Sequence, residues 1–190
     1  MSNKVFKIIG ITNRCVSDSY NYMALTTLGQ LMSPDLDLEI FDIKSIPFYD
    51  PDLENSEFAF PIKELALKIS QSQGLVIFTP EYNHSLPARI KNCIDWLSRI
   101  KPNPLIDLPT MISSVTTGQL GGARVQYELR RVLDSQQSNL LIKPEIFFGN
   151  AKTKFNEKGE CIDDLTHDLL ATQISSFKLL IDKTEKMRSI

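Results

Sequence analysis

Gly74-Leu75-Val76-Ile77-Phe78-Thr79 is apolar without interruption up to its last residue. A strand with one face in water alternates apolar and polar side chains. A run without alternation belongs to a strand covered on both faces, as in a parallel sheet between two layers of helices. Upstream, Pro61 suits the first turn of a helix carrying Ile62, Leu65, Ala66 and Ile69. Before it lie a loop punctuated by Pro47, Asp50, Pro51 and Asp52, and the alternating strand Leu38-Glu39-Ile40-Phe41-Asp42. Further back, Tyr22, Leu25 and Leu28, extending to Leu31 and Met32, recur at helical spacing behind the strand Val5-Phe6-Lys7-Ile8-Ile9-Gly10-Ile11.

Downstream the order repeats. A loop over 80–86 leads to a helix opened by Pro87, with Ile90, Ile94 and Leu97 on one side. A strand over 110–115, a loop over 116–122 and a helix over 123–133 follow. Residues 140–148 read as a fifth strand, placed at an edge by Pro144, and a last amphipathic helix runs from about 164 to 183. Five strand–helix alternations without a linker or repeat predict an α/β domain spanning 1–190, a doubly wound five-stranded parallel sheet with helices on both faces.

The 190 residues are 42% hydrophobic and 23% charged, and 21 Lys+Arg against 23 Asp+Glu leave a formal charge of -2. This composition suits one well-buried core. It lacks the basic bias of proteins that neutralise nucleic-acid phosphates, so no nucleic-acid partner is expected. No apolar run approaches the roughly 18 residues of a membrane span. The start, Met1 to Lys7, passes into a strand without the apolar region and cleavage site of a leader, so no membrane role and a cytoplasmic location are expected. Cys15, Cys93 and Cys161 are scattered and form no CxxC pair, and His84 and His167 are the only histidines. Neither a disulfide framework nor a metal site is expected from that set.

Ligands of a doubly wound sheet bind beyond the carboxyl ends of its strands, at the point where strand order reverses. The loops after strands one, three and four therefore carry the functional reading. The first, Thr12-Asn13-Arg14-Cys15-Val16-Ser17-Asp18-Ser19-Tyr20-Asn21, places hydroxyls, amides and an arginine directly before a helix. Unpaired N–H groups and the macrodipole at a helix N-terminus favour an anion, to which Ser19, Asn21 and Arg14 add donors. The alternative is that Ser17, Asp18 or Ser19 only caps the helix. No Walker A pattern is present. A cysteine-phosphatase reading of Cys15 fails because the sixth residue after it, where an arginine is needed, is Asn21.

The second loop, Thr79-Pro80-Glu81-Tyr82-Asn83-His84-Ser85-Leu86-Pro87, is stiffened by two prolines and suited to aiming backbone N–H groups at the edge of a flat heterocycle. The third, Thr116-Thr117-Gly118-Gln119-Leu120-Gly121-Gly122, has three glycines in five residues. These permit either close approach to a ligand or, for Gly121 and Gly122, a tight turn into the next helix. Arg124, Glu128 and Arg131 read as a solvated, ion-paired helix face, and Trp96 as core or interface.

The second loop, continued by Lys91-Asn92-Cys93-Ile94-Asp95-Trp96-Leu97-Ser98-Arg99, resembles the PEYN-x-S-x-P and KN-x-x-DW-x-SR segments of the NADPH-dependent FMN reductases. Gly118-Gln119-Leu120-Gly121-Gly122-Ala123-Arg124 is similar to that family's G-x-x-GG-x-R helix entrance, and weaker matches lie around Pro47 to Glu54 and at Lys154-Phe155. The first loop departs from the family's Gly-Ser-x-Arg. Ser19-Tyr20-Asn21 matches its Ser-x-Asn, and Thr12 and Arg14 stand in for the missing serine and arginine.

The resemblance implies a flavodoxin-like three-layer sandwich binding FMN, with NADPH or NADH as electron donor and a quinone or similar small molecule as acceptor. It implies the FMN phosphate at Thr12, Arg14, Ser19 and Asn21, and the flavin between the second and third loops. Pro80, Glu81, Tyr82, Asn83 and His84 would then flank the flavin edge, with Glu81 to His84 acting through backbone N–H groups. Ser114, Thr116, Thr117 and Gly118 would flank its other side, and the protein would be a homodimer or homotetramer. No dedicated acid or base is implied, because flavin carries the chemistry. Two rivals stand beside this reading: a flavodoxin-type electron carrier, against which the -2 charge counts, and a non-catalytic domain that has lost flavin.

Overall fold

The computed structural model describes residues 5–189; the stretch Met1 to Lys4, part of the start read above for a leader, lies outside the described residues. Strands β1 (Phe6–Thr12), β2 (Leu36–Asp42), β3 (Gly74–Phe78) and β4 (Pro109–Val115) alternate with helices α1 (Tyr20–Leu31), α2 (Phe60–Ser70), α3 (Ala88–Leu97) and α4 (Ala123–Asp134). Two short strands, β5 (Asn139–Leu140) and β6 (Phe147–Phe148), precede the long helix α5 (Asp164–Arg188). The sheet runs β2-β1-β3-β4-β5, every pair is parallel, and β6 also pairs with β4.

Period-two alternation sorts the strand residues onto two cores. Ile9, Ile11, Leu75, Ile77 and Ile112 face α2, α3 and α4, packing with Ile62, Leu65, Ile90, Trp96 and Leu129. Phe6, Ile8, Val76, Phe78 and Met111 face α1 and α5, packing with Leu25, Leu28, Leu170 and Phe177. Both faces are thus covered, which is why β3 shows no polar alternation. The result is the flavodoxin-like three-layer sandwich.

The expected fifth strand is split. β5 pairs with Pro109 and Thr110 at the start of β4, and β6 pairs with Ser114 and Val115 at its end. Between them the chain leaves the ladder around Pro144, which has no N–H to give it. Two α4 side chains take up carbonyls there: Arg130 donates to Leu141 O at 3.1 Å and Gln126 to Ile146 O at 2.8 Å. The sheet therefore has six strands in five lanes.

Candidate functional site

From β1 the chain goes out to β2 on one side and returns to β3 on the other, so strand order reverses between β1 and β3. A crevice opens at the carboxyl ends there, where doubly wound folds of this order bind ligands. It holds a cleft of about 230 Å³ lined from the three loops chosen by sequence.

The first loop leads into α1. Ser19 is the N-cap, its hydroxyl accepting from Tyr22 N at 3.4 Å, and Ser19 N donates to Val16 O at 3.0 Å. The N–H groups of Tyr20 and Asn21, both lining residues, have no acceptor among the described residues. Unpaired first-turn donors of this kind are what a helix offers an anion. Arg14 lies beside them, only weakly paired to Asp18 at 3.4 Å with both side chains at least half exposed. Capping and anion binding are therefore compatible: the Ser19 side chain does the first and leaves backbone donors for the second.

Two residues expected in this cradle are used elsewhere. Asn21 is buried, and its amide is locked on the end of β4, accepting from Val115 N and donating to Val115 O, both at 2.9 Å. What Asn21 leaves unpaired at the cleft is its backbone N–H, not its side chain. Thr12 is fully buried, its hydroxyl has no partner among the described residues, and it is not a lining residue. Cys15 is half-buried, and desolvation with the nearby Asp42 charge pushes its thiol up to about 11, so at neutral pH it is not a nucleophile.

In the second loop, Tyr82 and Ser85 exchange backbone hydrogen bonds at 3.1 and 2.9 Å. Asn83 and His84 between them have φ of 50° and 64°. This is a two-residue hairpin with positive φ at both central positions, where glycine or asparagine is usual. The N–H groups of Asn83 and His84 have no acceptor among the described residues, and both residues are exposed.

Side chains brace this hairpin from three directions. Asn13 donates to the Tyr82 hydroxyl at 3.2 Å, while Arg89 holds the Asn13 carbonyl at 2.8 Å. The Glu81 carboxylate accepts from Val125 N at the start of α4 and from Arg124, at 3.2 and 3.3 Å. Glu128 on α4 accepts from Ser85 Oγ at 3.0 Å and from Leu86 N at 3.1 Å. The sequence reading gave Glu81 a backbone role and Arg124 and Glu128 a solvated face. In the structure all three side chains tie the hairpin to α4, and of the helix face Arg124, Glu128 and Arg131 only Arg131 makes no such tie and is exposed among the described residues.

In the third loop, Thr116 and Thr117 line the cleft and Gly118 is exposed next to them. Gly121 and Gly122 take the tight-turn role, with φ of 59° and 83°. A Cβ on Gly121 would lie 2.5 Å from the Phe147 carbonyl carbon, a backbone clash. Ser114 is fully buried, its hydroxyl donating to Gly121 O and accepting from Gln126 Nε2. It holds the turn from beneath and does not line the cleft.

Of the expected residues, the cleft brings together Arg14, Ser19, Asn21, Pro80, Glu81, Tyr82, Thr116 and Thr117. Asn83, His84 and Gly118 stand at its exposed margin, and Thr12 and Ser114 lie below its surface. Asn13, Asp18, Tyr20 and Val115 line it without having been singled out. The first three sit in the quoted first loop; Val115 ends the strand of which only Ser114 was expected at the site.

A parallel sheet whose strand order reverses, with unpaired helix N-terminal donors at its switch point, defines a flavodoxin-like α/β protein. More particularly, the chain belongs to the NADPH-dependent FMN reductase family, whose profile matches residues 5–153. A quinone reductase of Escherichia coli K12 is 36% identical over 188 residues, covering 97% of this chain and 100% of that protein. An NAD(P)H-dependent FMN reductase of Pseudomonas aeruginosa is 33% identical over 175 residues, covering 92% and 95%. Among solved structures, the flavoenzyme NAD(P)H:(acceptor) oxidoreductase FerB of Paracoccus denitrificans superposes with a TM-score of 0.87. It is 25% identical and covers 95% of this chain and 99% of its own.

Proposed function

We propose that the chain, taken over 1–190 as one FMN-binding domain, is an FMN-dependent NAD(P)H oxidoreductase that reduces quinones or similar small acceptors. The observation that carries this is the pairing of unpaired donors on the two sides of one cleft. Tyr20 N, Asn21 N and the Arg14 guanidinium suit a phosphate within it; Asn83 N and His84 N, at its exposed margin beside the lining residues Glu81 and Tyr82, suit a polar ring edge. The donor set fits FMN, and the named relatives and the family profile agree with it.

Bound FMN would supply the hydride and electron chemistry between nicotinamide and acceptor. This chain's residues bind and orient it. Arg14 and Ser19 with the α1 N-terminus would hold the phosphate. Thr116, Thr117 and Gly118 would border the chain between phosphate and ring, and the segment from Pro80 to His84 would meet the ring edge. Thr12 and Ser114 would contribute from below, through the shape of the strand ends. At about 230 Å³ the cleft is smaller than the roughly 300–1,000 Å³ of pockets that enclose most of a ligand. A cofactor anchored here would keep one face open, as donor and acceptor both require.

The location that goes with a nicotinamide donor is the cytoplasm. Exposed Tyr82, Leu120 and Tyr127 on the elements bordering the cleft favour a homodimer or homotetramer. No helix among the described residues is long and apolar enough to cross a membrane.

Visible spectra of the purified protein with added FMN, followed by anaerobic NADPH, test the reading. A protein-bound flavin spectrum that bleaches with NADPH and recovers with a quinone is the expected result. Bound flavin that NADPH does not bleach would turn the reading to an electron carrier. No bound flavin at micromolar concentration would overturn it.

A further inference from the structure

Glu128 is the one ionic side chain of α4 that reaches back to the far end of the second loop. Its two carboxylate oxygens take different donors, Oε1 from the Ser85 hydroxyl and Oε2 from Leu86 N, and both contacts are partly buried. They fall immediately after the left-handed pair Asn83 and His84. Non-glycine residues leave the left-handed region unless their surroundings over-determine them. The N-terminal side of the hairpin is fixed by Glu81 on Val125 N and by Asn13 on the Tyr82 hydroxyl. On the C-terminal side, Glu128 supplies the corresponding side-chain tie.

We propose that Glu128 is a positioning residue for the cofactor: by holding Ser85 and Leu86, it fixes the orientation of the free N–H groups of Asn83 and His84 at the exposed margin of the cleft. This rests on the flavin reading given above. Glu128 touches no part of the cleft itself, since the lining from this side is Pro80, Glu81 and Tyr82. Its effect passes entirely through the hairpin. Donors held in place before binding need not be ordered by the ligand, so preorganisation shows up as affinity.

Removing the carboxylate should leave the fold intact, because the remaining Tyr82–Ser85 bonds are local and the α4 core residues Val125, Leu129 and Leu133 are untouched. The hairpin should then sample conformations in which its two donors no longer converge. Glu128→Gln keeps one acceptor oxygen and should recover part of the ordering. Ser85→Ala, which removes one of the two bonds, should give a smaller loss than Glu128→Ala.

The test uses two readouts on the full chain. Hydrogen exchange of ligand-free protein reports the hydrogen-bonded Tyr82, Ser85 and Leu86 amides, and FMN fluorescence quenching reports Kd. For Glu128→Ala we expect faster exchange confined to the hairpin, an unchanged melting temperature, and about a tenfold rise in Kd, ~1.4 kcal/mol. Glu128→Gln should lie between the two. Unchanged hairpin exchange and Kd in Glu128→Ala would overturn the proposal. So would a Kd change matched by a general loss of stability, which would mark Glu128 as merely structural. A wild-type protein that orders its hairpin but binds no FMN would instead overturn the flavin reading, and the positioning role with it.

Discussion

The first and second loops face each other across one cleft but are made ready in opposite ways. The second loop is braced against its surroundings by side chains: Asn13 from the first loop, Glu128 from α4, and its own Glu81 reaching to Val125 N at the start of α4. The first has little such bracing. Its ion pair among the described residues, Arg14 with Asp18, is exposed and 3.4 Å long, worth well under 1 kcal/mol in such surroundings. What orders the anion side is the helix that follows, because α1 is pinned to the sheet through Asn21 and presents its first-turn N–H groups as part of its regular geometry. A rigid helix end can serve a spherical, charged group such as phosphate without a rigid loop. A planar ring edge needs donors at fixed angles, and there the chain invests in a strained hairpin and its ties.

If this contrast is right, the largest effect should come from unpinning α1. Asn21→Ala leaves Val115 N and Val115 O unpaired in a buried setting, at about 2–4 kcal/mol for the two together. Urea denaturation should show that loss, and FMN affinity should fall with it. A variant that is as stable as wild type would break the comparison at its base. The next effect separates charge from scaffold. Arg14→Ala should raise the FMN Kd by about 10- to 100-fold, ~1.5–3 kcal/mol for a hydrogen bond to a charged group. Its stability should stay within about 0.5 kcal/mol of wild type, as for an exposed residue. Riboflavin, which lacks the phosphate, should bind both proteins equally; a riboflavin penalty in Arg14→Ala would place the arginine elsewhere in the cleft.

A smaller effect of opposite sign is expected from Asp18→Asn. Asp18 lines the cleft and competes for Arg14, so it puts a negative charge near the phosphate position. Removing it should tighten FMN roughly 2- to 5-fold, from ~0.5–1 kcal/mol of repulsion in water-like surroundings. The gain should shrink as salt is raised. Titrations at low and high salt check this, and weaker binding in the variant would mean that Asp18 positions Arg14 rather than opposing the ligand.

How legible was this in the sequence? The sheet was, because apolar periodicity and strand–helix alternation are written in local composition. Strand β3 and helices α1 to α4 fall within a few residues of their expected bounds. The split of the last strand was not, because whether 140–148 forms one strand or two depends on α4 side chains that take up its carbonyls from 11 and 20 residues away. The loops that form the cleft were legible for the same reason as the sheet, since topology dictates where loops after β1, β3 and β4 must meet. Individual roles within them were less so. Hydroxyls and amides at a strand end look alike in sequence whether they face a ligand, as Thr116 does, or lie beneath the surface, as Thr12 and Ser114 do. Charges on a helix face look solvated until a loop folds over them, and Glu128 is the example.

The least expected anchor in the first loop supplies the last and smallest effect. Cys15 is half-buried against the Phe41 carbonyl and near Asp42, and its thiol is raised from 9.0 to about 11. A thiol is neutral when protonated, so a raised value means that the folded state holds the proton more tightly than the unfolded state. The stabilisation is then fully present below about pH 9, where both states are protonated. It falls as pH rises from 9 towards 11, where the unfolded chain releases the proton first, and levels off once the native thiol also ionises. Wild type and Cys15→Ala, unfolded in urea at a series of pH values, should therefore differ by a constant amount up to about pH 9 and converge above it. A gap that stays constant through pH 11 would mean the thiol is solvated, and the first loop would then be ordered by α1 alone.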